Sequence, residues 1–194
     1  MGDPVTILAF GDSLTAGYGL NPGESVPDIL QTMLHDNGYN VTIVNAGYSG
    51  DTTTGGLARL PWTLDRSQPD AAILELGAND GLQGQDPTQM EANLNAMLDL
   101  FQQHSIPVLF TGMQAMPNLG EAYAQEFAAV FPRIAEQRDL LFYPFFLEGV
   151  GGIPALNQGD GIHPNAEGAR LIAKNLYPYV VQLIEKAQRL QEAG

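Results

Sequence analysis

The chain has 194 residues, a formal charge of −14 and no cysteine. Its length fits one domain with a sizeable core. Its acidity disfavours nucleic acid, anionic membrane surfaces and strongly anionic substrates, all of which select for basic patches, and its eight Lys and Arg residues do not cluster.

Strand-like and helix-like patterns alternate from the start. Met1-Gly2-Asp3-Pro4 leads straight into a strand at Val5–Gly11, with no basic region or apolar signal core before it. A helix near Val26–Asp36 follows, then a strand at Val41–Ala46 and a helix at Gly55–Arg66. Next come a strand at Ala71–Leu76, a helix at Pro87–His104 and a strand at Pro107–Gly112. A helix at Tyr123–Arg138, a strand at Leu140–Phe146 and a last helix from Asn165 to about Gln191 complete the series. The strands are short, uninterrupted apolar runs, as expected where helices cover both faces of a sheet. The pattern predicts an α/β fold, a flavodoxin-like three-layer sandwich with a parallel five-stranded sheet and right-handed crossovers. No repeat, linker or low-complexity tract divides residues 1–194, so one domain is expected. The absence of Cys rules out disulfides, thiolate catalysis and cysteine-held metals without choosing a compartment. No apolar run reaches membrane-spanning length.

In such folds the site lies beyond the carboxyl ends of the strands. After the first strand stands Gly11-Asp12-Ser13-Leu14, placing a hydroxyl and backbone N–H groups at that edge; it also reads as a simple helix cap. No phosphate loop is present, and Gly47-Tyr48-Ser49-Gly50-Asp51 misses the Gly-x-Ser-x-Gly elbow at its last position. Gly47 and Gly50 follow the second strand, where a glycine lets a backbone N–H approach a ligand, or where Asp51 merely caps the next helix. Gly77-Ala78-Asn79-Asp80-Gly81 follows the third, offering either a carboxamide donor or plain turn chemistry. Asp160-Gly161-Ile162-His163-Pro164 precedes the last helix. A carboxylate three residues before an imidazole can fix the tautomer of a general base, and the same residues can also be a helix start. A nucleophile, a base with its orienter and neutral donors on one sheet edge form the set that acyl transfer requires.

Those four blocks, in that order, resemble the SGNH (GDSL) hydrolases, and most of all their bacterial thioesterase I, lysophospholipase and arylesterase branch. The likeness continues through Gly50-Asp51-Thr52 to Gly56-Leu57-Ala58-Arg59-Leu60-Pro61 and again at Pro144-Phe145-Phe146. The resemblance implies Ser13 as nucleophile, His163 as base and then acid, and Asp160 as its orienter. It implies an oxyanion hole from the N–H of Ser13, the N–H of Gly50 and the side-chain amide of Asn79. Inspection alone also admits Gly47.

A serine esterase without cofactor or metal is therefore expected, acting on aryl or short-to-medium acyl esters, with thioesters and lysophospholipids in the same range. Gly81, Leu82, Met116 and Pro117 are candidates for substrate contact. Gly81–Gly84 reads as a flexible gate and Phe146–Leu156 as a mobile apolar segment. Ala78 replaces the second glycine of the usual Gly-Gly-Asn-Asp, and Met116-Pro117-Asn118-Leu119-Gly120 departs from the usual Leu-Pro and Asn-Tyr-Gly pairs, which bears on substrate preference. His35 and His104 read as helix-end residues. The expected partner is a small ester or thioester, with no nucleic acid and no stable membrane insertion; a monomer would suffice. A periplasmic or secreted location is implied if a signal was removed, otherwise a cytoplasmic one. A carbohydrate O-deacetylase of the same fold, an idle ester-binding domain and a flavodoxin-like nucleotide or receiver module are the competing classes.

Overall fold

The structure, a computed structural model, describes residues 4–193, so the Met1–Asp3 lead lies outside it. Strands β1 (Val5–Gly11), β2 (Val41–Gly47), β3 (Ala71–Glu75), β4 (Val108–Thr111) and β5 (Leu141–Tyr143) form one sheet in the order β2-β1-β3-β4-β5. Every pairing is parallel, with Ile7 of β1 opposite Ile43 on one side and Ala71 on the other. This is the strand order of flavodoxin-like folds. Ile7, Leu8, Ala9 and Phe10 are all buried in succession, which happens only when both faces of a strand are covered. Helices α2 (Val26–Asp36) and α7 (Ala166–Ala193) pack together as one covering layer. Helices α3 (Thr53–Ser67), α5 (Pro87–Gln103) and α6 (Glu121–Arg138) pack in series as the other.

Local chemistry sets the helix starts. Ser25 accepts from the Asp28 N–H, Thr52 from the Gly55 N–H and Asp86 from the Thr88 N–H, each satisfying a donor the helix leaves unpaired. Asn165 accepts from the N–H groups of Glu167 and Gly168 and so begins α7. The core between β4 and α6 is aromatic: Phe110 meets Phe131 at 5.8 Å between ring centroids, and Phe131 meets Phe127 at 5.6 Å.

The structure departs from expectation in four places. Two short helices, α1 (Ser13–Ala16) and α4 (Ala78–Leu82), sit directly after β1 and β3. They are too short to show a period in sequence. The cap of α3 is Thr52, not Asp51, whose carboxylate is engaged elsewhere. β5 stops at Tyr143, because Pro144 has no N–H for the ladder. Phe146–Leu156 is a run of turns pinned by buried Phe146 and Val150, with the Asn157 amide donating to the carbonyls of Val150 and Ile153.

From β1 the chain moves outward to β2 and then crosses back to β3. The winding therefore reverses between β1 and β3, and their carboxyl ends open the crevice where such sheets bind ligands. α1 and α4 flank that crevice.

Candidate active site

Asp12 is the N-cap of α1, its carboxylate accepting the Leu14 N–H, and this places Ser13 at the first helical position. Ser13 is almost fully buried, and its Oγ lies 3.0 Å from His163 Nε2. The imidazole's other nitrogen, Nδ1, lies 2.6 Å from Asp160 Oδ2. The second oxygen of Asp160 accepts the backbone N–H groups of Ile162 and His163, so one carboxylate folds the turn and orients the ring. Those hydrogen bonds, the one from His163 first, hold the Asp160 carboxyl down to about 2. An ionised Asp160 fixes the proton on Nδ1 and leaves Nε2 free to accept from Ser13.

The turn carrying His163 is tied to the segment that follows Ser13. Gln158 donates its N–H to the His163 carbonyl and its amide to the carbonyls of Tyr18 and Pro164. The Tyr18 ring, half exposed, lies against the imidazole at 4.5 Å between centroids.

Asn79 stands in α4 with its Nδ2 donating to the Asp51 carbonyl at 2.8 Å, and 3.5 Å from Asp12 Oδ2. The next residue, Asp80, accepts both the N–H and the hydroxyl of Thr53, binding α4 to the first turn of α3. Burial pushes the Asp80 carboxyl up, against these bonds. Gly47 and Gly50 differ sharply. The Gly47 N–H is consumed by Asn45 Oδ1. Gly50 has φ +84, and a Cβ built there would meet nothing within 4 Å, so its backbone faces open space. Among the described residues no acceptor meets the N–H of either Gly50 or Ser13.

Arg59, on α3, holds this edge together. Its Nε donates to Asp51 Oδ2 at 2.6 Å, Nη1 to the Ala46 carbonyl and Nη2 to the Gly11 carbonyl, both at 2.9 Å, while its plane covers the Phe10 ring. One guanidinium thus fixes the ends of β1 and β2 and the loop that carries Gly50.

Beside Ser13, His163 and Asn79 opens a cavity of about 320 Å³ with a mainly apolar wall. Gly81, Leu82 and Met116 line it, with Met113, Phe145 and Leu147. Pro117 opens a short 3-10 turn, Pro117–Leu119, and is not on the wall. Gly81 does not gate the site: it is buried in α4, where a Cβ would press on the Phe127 ring. His35 and His104 lie at helix ends, in contact with the carbonyls of Val41 and Leu100.

A mainly apolar cavity with a Ser–His–Asp chain at its edge points to acyl-ester chemistry, and relatives agree. The sequence profile of the GDSL-like Lipase/Acylhydrolase family matches residues 9–171. The chain belongs to this family. It is 41% identical over 179 residues to "Esterase TesA" of Pseudomonas aeruginosa, covering 92% of this chain and 89% of that protein. It is 39% identical over 179 residues to "Thioesterase 1/protease 1/lysophospholipase L1" of Escherichia coli K12, covering 90% and 85%. The crystal structure of TesA superposes with a TM-score of 0.87 at 41% identity, covering 92% of this chain and 99% of that one. The reaction class is ester hydrolysis, on a fold shared with these relatives.

Four residues of this geometry carry no role in the sequence reading: Tyr18, Gln158, Arg59 and Glu75, whose Oε1 accepts the Asp12 N–H and the Thr15 hydroxyl. Tyr18 and Arg59 act through partners distant in sequence. Glu75 had a visible signal: it is an acidic residue closing an otherwise apolar, fully buried strand.

Proposed function

We propose that this chain hydrolyses short-to-medium acyl esters through an acyl-serine intermediate formed on Ser13. The observation that carries this reading is the 3.0 Å approach of Ser13 Oγ to His163 Nε2, with Asp160 on the far side of the ring. His163 takes the Ser13 proton as Oγ attacks the acyl carbon, then gives it to the departing alkoxide. Water then attacks the acyl carbon as His163 takes its proton, and the bond to Oγ breaks as His163 returns that proton to Ser13, releasing the acid. The developing oxyanion is met by the N–H of Ser13, the N–H of Gly50 and Nδ2 of Asn79. The unpaired state of the two backbone donors supports this assignment.

The acyl chain lies along Leu82, Met116 and Phe145. About 320 Å³ is at the small end of the ~300–1,000 Å³ typical of ligand pockets, which favours short and medium chains over long ones. An apolar wall also favours an acyl group over a glycan, against the deacetylase reading. The E. coli relative is named a thioesterase, so thioesters belong in the test. Purified protein should cleave p-nitrophenyl esters with an optimum at short or medium length and reduced turnover on long chains, with acyl-CoA esters assayed alongside. Loss of hydrolysis in Ser13→Ala is expected; wild-type activity in that variant would exclude Ser13 as nucleophile.

A further inference from the structure

Two carboxyl groups lie buried directly beneath the nucleophile, and the mechanism above uses neither. Glu75, at the end of β3, is 1% exposed and Asp12 is fully buried. Glu75 Oε1 accepts the Asp12 N–H at 3.3 Å and the Thr15 hydroxyl at 2.7 Å. Its other oxygen, Oε2, is buried with no partner among the described residues. The Asp12 N–H on Glu75 Oε1 sets these two buried residues side by side. Two carboxyl groups buried side by side, one with an oxygen left unpaired, are not both ionised, so one of them carries a proton.

Among the described residues no Lys or Arg contacts either carboxyl. The Arg59 guanidinium is committed to Asp51 and to the carbonyls of Ala46 and Gly11. The other titratable groups acting on the pair are His163 and Asp51. Asp12 has two further duties, accepting the Leu14 N–H and facing Nδ2 of Asn79, and both favour its charged form. Glu75 has only Thr15 and one backbone N–H, so the proton belongs on Glu75.

We propose that Glu75 works as a neutral acid, a positioning residue whose O–H holds the Asp12 carboxylate, and that Asp12 in turn sets the Ser13 backbone and the Asn79 amide of the oxyanion hole. Burial pushes both groups up, Asp12 to about 6 and Glu75 well above its ordinary value, which agrees with an ionised Asp12 over a protonated Glu75 at neutral pH. The proposal rests on the acyl-serine reading for its kinetic consequences but not for the protonation state itself.

Glu75→Gln imitates the protonated acid, with one N–H donor for Asp12 and one oxygen for Thr15. It should keep the wild-type kcat and KM, and should remove the alkaline loss of kcat that follows ionisation of Glu75. Asp12→Asn turns a donor toward Asn79 and Glu75 and should lower kcat about 10²-fold at unchanged KM, the cost of a misplaced catalytic group. Independently of activity, the infrared spectrum of wild type at neutral pH should show a protonated-carboxyl stretch that is missing from Glu75→Gln. Absence of that band, or a Glu75→Gln variant as impaired as Asp12→Asn, overturns the proposal. Full activity in Ser13→Ala would overturn the acyl-serine reading instead and leave the infrared result standing.

Discussion

The Ser13–His163 contact depends on holding one imidazole in place. Asp160 does this through its side chain and through the turn it folds, Tyr18 by packing on the ring, and Gln158 by linking the two segments. Tyr18→Ala should lower kcat about 2- to 13-fold, the equivalent of one aromatic pair worth ~0.5–1.5 kcal/mol. A lower KM with unchanged kcat would show instead that the ring only obstructs substrate. Asn79→Ala should reduce kcat on the order of 10²–10³-fold with little change in KM, since in the proposed oxyanion hole its amide meets charge that exists only in the transition state. Single-turnover kinetics separate these effects. Ser13, Asn79, Asp160 and His163 were legible because each is a polar residue on a segment that lies at the carboxyl edge of an apolar strand series. Arg59 was not, because two of its partners are backbone carbonyls, of Gly11 and Ala46, that sequence does not mark as acceptors.

Among the elements, α3 does more than fill one layer. Its first turn receives Asp80 and its second turn supplies Arg59, so it couples the ends of β1 and β2 to the helix that follows β3. Arg59→Met keeps much of the side-chain length but leaves Asp51, 8% exposed, without its partner. A stability loss of about 3 kcal/mol is expected, the lower end for breaking a buried pair because Arg59 is itself a quarter exposed. In urea melts the double variant Arg59→Met with Asp51→Asn should lose less than the sum of the two single changes. Additive losses would mean that the pair does not couple. The five strands and the long helices were readable from apolar runs and helical periods. α1 and α4 were not, since four and five residues hold too little pattern, and their short helices exist because Asp12 caps one and Asp80 anchors the other.

At the scale of the molecule, acidity and burial combine in a pH dependence of unusual sign. Asp12 and Glu75 bind their protons more tightly folded than unfolded. Their contribution to stability is complete below about pH 4 and falls away as pH rises through about 6, where Asp12 ionises, and further where Glu75 does. Asp160 works in the opposite sense, adding stability above about pH 4 and losing it as pH falls toward about 2. Glu75→Gln should therefore melt higher than wild type on the alkaline side, and the gap should close toward acid; a gap that widens toward acid would show Glu75 ionised in the fold. Both that gap and the enzymatic reading converge on the crevice between β1 and β3. The most direct test of the central claim is the intact mass of the protein after exposure to an ethyl phosphonate ester, followed by peptide mapping. One phosphonyl group per chain, located on Ser13 and absent from Ser13→Ala, is the predicted result. Labelling elsewhere, or equal labelling of Ser13→Ala, would contradict it.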